Sequence, residues 1–563
     1  MNPVQLRRDV GGWQVRWNEA VAASARVQGH WPDRTVAQFA RVLVATCPDR
    51  VVLVEGERSR TCAEIFGAAA RLATYLVSQG LKPGDVISFQ LPNWWEASVI
   101  DIAAALIGVV VNPIVPINRD AEVTYMLNES ATRVYFAPAE FRRYNYEAMF
   151  QRITPGLVRP PQFVVMRGQS ATGASFDEIV ASCEPLTRVT QVDANAVKLL
   201  MYTSGTTGRP KGVLHSHNSI HADGVKMKPA MGLVDGDVSF CPSPVTHISG
   251  YLWGLNMPWA GHLPAVLLDV WDPERAFDLI VQHRCAFSVG ATPFLQDLMT
   301  VARRRQAQLP AMKSYMCGGA SVPPSLIYEA AERMPNCIPY RTFGATESPT
   351  MTGPPHQRCD MAMAAETDGR IHGAEVRIVD LVTGSPVPDG QDGEILVRES
   401  SMAQGYARPE DNAEAYDADG FFRMGDIGRI VHADHLVCTG RKKDLIIRSG
   451  ENISAREIED VIYRSDRVAE VAVVSMPSAR TGEAICAFVV PRSGAVIAYE
   501  DVVGWIRDVG LARQKTPEHL ELVTELPKTL SGKVRKDLLR ERARALFAAS
   551  AGPHATRTQQ SSN

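Results

Sequence analysis

The sequence has no closely paired cysteines, no long apolar run and no excess of one charge, and each absence removes a class of protein. Ten cysteines are scattered through 563 residues without one Cys-x-x-Cys pair. That argues against a zinc site and against a disulfide scaffold, so the thiols read as reduced and buried, as in a cytoplasmic protein. The most apolar stretch, Ile102 to Val111, falls well short of the roughly 20 residues a membrane span needs. It reads as a core helix followed by a buried strand, and no transmembrane segment is expected. The N-terminus lacks the apolar run of a secretory leader. The net charge of -3 points to no nucleic acid and no anionic membrane as partner.

What is present is ordinary globular material, 45% hydrophobic and 21% charged. The length calls for several domains, or one large domain with a satellite. Residues 1 to about 50 are amphipathic and read as helical. From Val51 onward, short β-branched runs (VVLVEG, DVISFQLP, VVVNPIVP, TRVYFAP, FVVM, KLLMYTS, AVLLD, AFSVG) alternate with helical or glycine-rich stretches. That beat predicts an α/β fold, with parallel sheets covered on both faces. Past about residue 370, AEVRIVD, GEILVRE and HLVCTGR predict a smaller antiparallel unit. After Arg441, a helix over SAREIEDVIYRS, with Ser454 and Glu457 spaced as a capping box, opens an α+β texture. The tail from 546 to 563 has no apolar pattern and reads as disordered. The division predicted is 1–441, 442–545 and that tail.

The most informative segment is LLMYTSGTTGRPKGVLHSH, Leu199 to His217. A strand feeds a loop of glycines and hydroxyls in which Thr203, Ser204, Gly205, Thr206, Thr207 and Gly208 can direct N–H and O–H donors at phosphate. Lys211 adds a positive charge. It is not a Walker A loop, because Pro210 precedes Lys211 and Gly212 follows it. This disfavours a P-loop kinase or ATPase.

YTSGTTGRPKG resembles the signature loop of the adenylate-forming superfamily, which includes acyl-CoA synthetases, luciferases and peptide-synthetase adenylation domains. The resemblance covers about residues 30 to 545 and continues through further motifs in order. It implies a large N-terminal domain of two αβ-layered sheets with a small antiparallel β subdomain. It also implies a mobile C-terminal domain.

In that frame, Gly318, Gly319 and Ala320 look like the segment lining the adenine and acyl pockets. In RTFGATE, Phe343 and Gly344 are candidate nucleotide-binding residues, and the family usually has Tyr where Phe343 stands. The ring can still stack on adenine, but a hydroxyl is lost. Thr346 would donate to the α-phosphate, and Glu347 is a hard oxygen donor suited to Mg²⁺. Asp426 and Arg441 would hold the ribose, with Met424 where the family has Thr. Lys443 stands at the family's domain hinge, and Gly450, in RSGENIS, on the loop facing the thiol channel. Lys533, in LPKTLSGKVRK, resembles the catalytic lysine. A cation there removes the repulsion between an attacking carboxylate and an α-phosphate. Lys528, Arg535 and Lys536 read as surface charges.

In SPVTHISGY, His247 could bond the substrate carboxylate or gate the thiol channel. Tyr251, Trp253, Leu255 and the stretch from Gly290 to Pro293 are expected around the acyl group. No Asp, Glu, Lys or Arg occurs between Cys241 and Leu268, so an apolar acid is expected. The wording of these segments is similar to ligases of alicyclic or short-to-medium-chain acids, such as cyclohexanecarboxylate–CoA ligases. The resemblance therefore implies an ATP- and Mg²⁺-dependent ligase that forms an acyl-adenylate and passes the acyl group to coenzyme A. A carrier protein or an amine is the alternative acceptor. A nucleotide sensor with a dead site is disfavoured by Thr346, Glu347, Asp426, Arg441 and Lys533 together. A homodimer is left open.

Overall fold

The structure, a computed structural model, describes residues 4–170, 173–203, 209–319, 322–448, 451–478, 480–528 and 534–550. Two seven-stranded sheets carry the large N-terminal part. The first runs in the order Ala174–Ser175, Gln162–Met166, Val134–Pro138, Val86–Phe89, Val110–Pro113, Val197–Thr203 and Lys211–Ser216. Its strands pair in parallel until the last pair, which is antiparallel and sets Thr203 opposite Lys211. The second runs Ile338–Arg341, Ser314–Cys317, Phe287–Gly290, Ser239–Cys241, Ala265–Leu267, Val51–Glu55 and Arg58–Thr61. It too is parallel except for its closing hairpin.

One core joins both sheets. It takes in the helices Cys62–Ser78 and Glu96–Ile107 and the inward faces of the strands. Every residue of Glu96–Ile107 is buried, which is why its sequence is apolar nearly all round. Gly108 ends that helix in the left-handed conformation, φ 72°, and lets the chain turn directly into the next strand. The parallel strands matter for function. Loops at their carboxyl ends gather along one edge, where ligands of open α/β sheets bind.

A six-stranded antiparallel sheet follows, in the order Thr352–Gly353, Arg370–Ile371, His435–Arg441, Phe422–Val431, Gly393–Glu399 and Ala374–Val379. From Ile446 a separate sheet forms from Glu451–Ile453, Ile446–Arg448, Gly482–Pro491 and Val468–Ser478, with His519–Leu522 beside Gly482–Pro491. It has its own cores, one under the helices Ala455–Tyr463 and Tyr499–Asp508 and one under Lys536–Ser550. No helix among the described residues is long and apolar enough to cross a membrane.

Four expectations are corrected. The N-terminal stretch opens as a β-hairpin, Gln5–Arg8 against Gln14–Trp17, and only then becomes the helices Glu19–Val27 and Val36–Thr46. Asp9 accepts from the Gly11 N–H within the turn, and the chain reverses there. Ser454 does cap its helix, accepting from the Glu457 N–H, but the Glu457 carboxylate is held by Lys515 at 2.7 Å instead of returning to the cap. The last helix runs through Ser550, into the segment expected to be disordered. Lys528 and Arg535 are exposed as expected, but Lys536 is partly buried in an ion pair with Glu459 at 2.6 Å.

Candidate functional site

Each N-terminal motif leaves the carboxyl end of a parallel strand. The expected phosphate loop follows Val197–Thr203, Gly318-Gly319 follows Ser314–Cys317, and Thr342 to Glu347 follows Ile338–Arg341. The segment bearing His247 follows Ser239–Cys241. Residues 204–208, Ala320, Gly450 and Lys533 lie outside the described residues.

The glycines are demanded by close approach. A Cβ on Gly344 would lie 2.0 Å from the Pro349 carbonyl oxygen, and one on Gly318 would lie 2.7 Å from that of Thr342. Gly319 adopts φ +82°, a conformation that favours glycine. Phe343, like Met424, packs against the core of the small antiparallel sheet, and its N–H donates to Thr352 Oγ1 at 2.8 Å.

Thr346 and Glu347 are buried in a turn closed by reciprocal backbone bonds between Ala345 and Ser348. His215 Nε2 donates to the Thr346 carbonyl oxygen at 2.7 Å, and the Ala403 N–H donates to that of Glu347 at 2.8 Å. Burial brings the His215 imidazole down to about 4, so it is neutral and its Nε2 carries the proton. The Tyr406 hydroxyl donates to Glu347 Oε1 at 2.6 Å. The Lys211 ammonium lies 5.1 Å from the same ring's centre and 3.5 Å from Asp411. One tyrosine therefore meets both groups, the Lys211 ammonium near its ring and the Glu347 carboxylate at its hydroxyl. Burial, then the Glu347 charge, pushes the Tyr406 phenol far above its ordinary value, which keeps it a donor. Sequence reading missed Tyr406, although Gly405-Tyr406, close after the buried strand Gly393–Glu399, was the available signal.

Asp426 and Arg441 are opposite residues on neighbouring strands, with Nε to Oδ1 at 3.0 Å. Gly425, at φ +68°, turns the chain just before Asp426. Lys443 is exposed in the short turn Lys442–Asp444 between the last two sheets. Partial loss of water around it, then the nearby Arg441, lowers its ammonium below the ordinary range. Its neighbour Asp444 accepts from Arg540 at 2.8 Å.

The expected acyl region divides. His247 is exposed on its loop, with Nδ1 3.1 Å from Ser249 Oγ. Tyr251, Trp253 and Leu255 are not open to a pocket: they lie fully buried in a π-helical stretch, Tyr251–Asn256. The Tyr251 hydroxyl donates to Asp101 Oδ1 at 2.5 Å, and Lys198 donates to the same oxygen at 2.6 Å. Gly290 and Ala291 still leave the strand Phe287–Gly290 at the common edge.

Mg²⁺ is the metal the motifs imply. No cluster of three His, Cys, Asp or Glu side chains occurs among the described residues. A single oriented carboxylate, Glu347, suits an ion that keeps waters and takes phosphate oxygens for its other ligands.

The family model described as AMP-binding enzyme matches residues 40–407, and that of the AMP-binding enzyme C-terminal domain matches 457–533. The chain is 34% identical over 537 residues to a medium-chain fatty-acid–CoA ligase of Escherichia coli strain K12, covering 94% of each. It is 29% identical over 548 residues to a salicylyl-CoA synthase / salicylate adenylyltransferase of a Streptomyces species, covering 94% of this chain and 97% of that one. Among solved structures, ATP-bound MatB from Rhodopseudomonas palustris superposes with a TM-score of 0.81 at 26% identity, covering 91% of this chain and 100% of that one.

Proposed function

This chain belongs to the AMP-binding enzyme family, and from that premise we propose the substrate it activates and the residues that do the work. As an AMP-forming acid–thiol ligase it joins a carboxylate to coenzyme A at the expense of ATP, by way of an acyl-adenylate. The acid is apolar, a short-to-medium-chain or alicyclic one. The absence of any charged residue from Cys241 to Leu268 and the likeness to a medium-chain fatty-acid–CoA ligase support this reading.

The observation that carries the site assignment is Tyr406, whose ring lies beside Lys211 and whose hydroxyl donates to Glu347. In the first half-reaction, the loop from Thr203 to Lys211 holds the terminal phosphates. Phe343, Gly318, Gly319 and Ala320 line the adenine site, and Asp426 and Arg441 take the ribose hydroxyls. Thr346 donates to the α-phosphate. Glu347 would hold Mg²⁺, which would supply positive charge to the phosphates. Lys533 offsets the repulsion as the carboxylate attacks phosphorus and pyrophosphate leaves. In the second, the domain beginning at residue 442 turns about Lys443. The loop with Gly450 then lines the thiol path, with His247 at its mouth. The thiolate attacks the acyl carbon, and AMP leaves. Ten cysteines without a disulfide among them suit a cytoplasmic setting. A homodimer is an assembly that light scattering would test.

The test is a panel of aliphatic, alicyclic and aromatic acids scored for AMP release with and without coenzyme A. Release that peaks with apolar acids and needs the thiol is expected. Release that needs an amine or a carrier protein would move the chain to the alternative acceptor. Lys533→Ala should abolish acid-dependent pyrophosphate exchange but leave thioester formation from supplied acyl-AMP. Equal loss of both would overturn the role given to Lys533.

A further inference from the structure

Beneath the turn that carries Glu347 lies a charged group that none of the chemistry above uses. Lys226 and Asp223, on the helix His217–Ala230, and Glu399, at the end of Gly393–Glu399, are wholly buried. Lys226 donates to one Glu399 oxygen and, at 2.8 Å, to Ser401 Oγ. The other Glu399 oxygen accepts from the hydroxyl of Ser348, the residue directly after Glu347. Asp223 lies 3.8 Å from Lys226 and accepts from Thr350 Oγ1 at 3.1 Å. The hydroxyls of Ser348 and Thr350 thus both come from the segment just past Glu347.

Stability does not account for this arrangement. Burying ions costs several kcal/mol each, and apolar replacements of a buried pair are often neutral or better. What the pair provides is direction. Ser348 is fully buried and its hydroxyl has a fixed acceptor, so the peptide leaving Glu347 is pinned from below. Tyr406 and the Ala403 N–H pin the same residue from the other side.

We propose that Lys226 and Glu399 are positioning residues which, through Ser348, aim the Glu347 carboxylate at the metal-bound phosphates of ATP. This rests on the ligase reading and deepens it. A carboxylate that swung freely would lose the fixed geometry on which small octahedral ions insist.

Calorimetric titration of magnesium-ATP, and of AMP without metal, separates the possibilities. The proteins are the full-length wild type, Ser348→Ala and the double variant Lys226→Met/Glu399→Gln. Ser348→Ala cuts the tether and leaves the charges paired; the double variant removes both charges together. The expected result is magnesium-ATP affinity about tenfold weaker in both variants, AMP affinity within twofold, and unfolding midpoints within a few degrees of wild type. Unchanged magnesium-ATP binding would overturn the inference. So would parallel loss of both ligands with lowered midpoints, or failure of both variants to fold, since either assigns the pair to the fold alone. A wild type that binds no magnesium-ATP would instead sink the ligase reading.

Discussion

Arg456, on the first turn of the C-terminal helix Ala455–Tyr463, reaches into the large domain and donates to Asp368 at 3.1 Å. Arg341 already donates to the same oxygen at 2.8 Å, and the Cys438 N–H donates to the other at 2.8 Å. Burial pushes the Asp368 carboxyl up, but Arg341 and Arg456 outweigh it and hold it below the ordinary range. Asp368 thus ties three things together: the strand leading to Phe343, the strand leading to Arg441, and the C-terminal domain.

Substitutions on the two sides of that tie should differ in cost. Asp368→Ala strands the buried Arg341 and is expected to lose roughly 3–5 kcal/mol in denaturant unfolding. Arg456→Gln leaves Arg341 paired and should lose about 1 kcal/mol, while exposing the turn Lys442–Asp444 to limited proteolysis. Equal losses would mean the two guanidiniums share the carboxylate evenly.

Asp426→Ala should weaken ATP binding roughly 10- to 100-fold, since hydrogen bonds to a charged group contribute about 1.5–3 kcal/mol. Removing one ribose hydroxyl from the ligand makes the check. Wild type should discriminate against 2′-deoxy-ATP, and the variant should not.

Tyr406→Phe keeps the ring beside Lys211 and removes one donor from Glu347. The expected outcome is a rise of about tenfold in the Mg²⁺ concentration that half-saturates pyrophosphate exchange. The KM for the acid should stay within twofold. A change confined to the acid would contradict the contact.

Two buried groups set opposite pH limbs. Burial lowers the His221 imidazole to about 4 from an ordinary 6.5. Its stabilising contribution is therefore full above 6.5 and lost as pH falls through about 4. Asp223 is raised by burial to about 7 from 3.8, with Lys226 opposing. Its contribution is full below about 4 and lost as pH rises through about 7. Unfolding midpoints of His221→Leu should fall less than wild type between pH 6.5 and 4. Those of Asp223→Asn should gain on wild type by a few degrees between pH 5 and 8.

The strand-and-helix alternation was readable because parallel strands buried on both faces are short apolar runs, and VVLVE, VISF and FVVM have no other economical use. A phosphate-binding role for the segment after Thr203, and a role for Thr346-Glu347, could be proposed from sequence because the residue types concerned sit within a few neighbouring positions. Tyr406, Lys226 and Glu399 were not readable, since their meaning comes from partners far along the chain; Lys226 and Glu399 are 173 residues apart. The segment after His247 misled for the same reason. Tyr251 has no charged neighbour in its own stretch and so read as pocket wall, yet its partner Asp101 arrives from 150 positions upstream. The N-terminal hairpin reads as a helix from sequence because QLRRDVGGWQVRW is too short and mixed for its periodicity to speak.

Lys198 opens the strand that delivers the phosphate loop, and Asp101 receives it inside the molecule, where neither can find water. Mutating one alone would maroon its mate, so the two positions can drift only in step, through a simultaneous double replacement. A chimera that borrows the loop and its strand from this chain must therefore import the helix Glu96–Ile107 as well, or arrive with an orphaned ammonium at its heart.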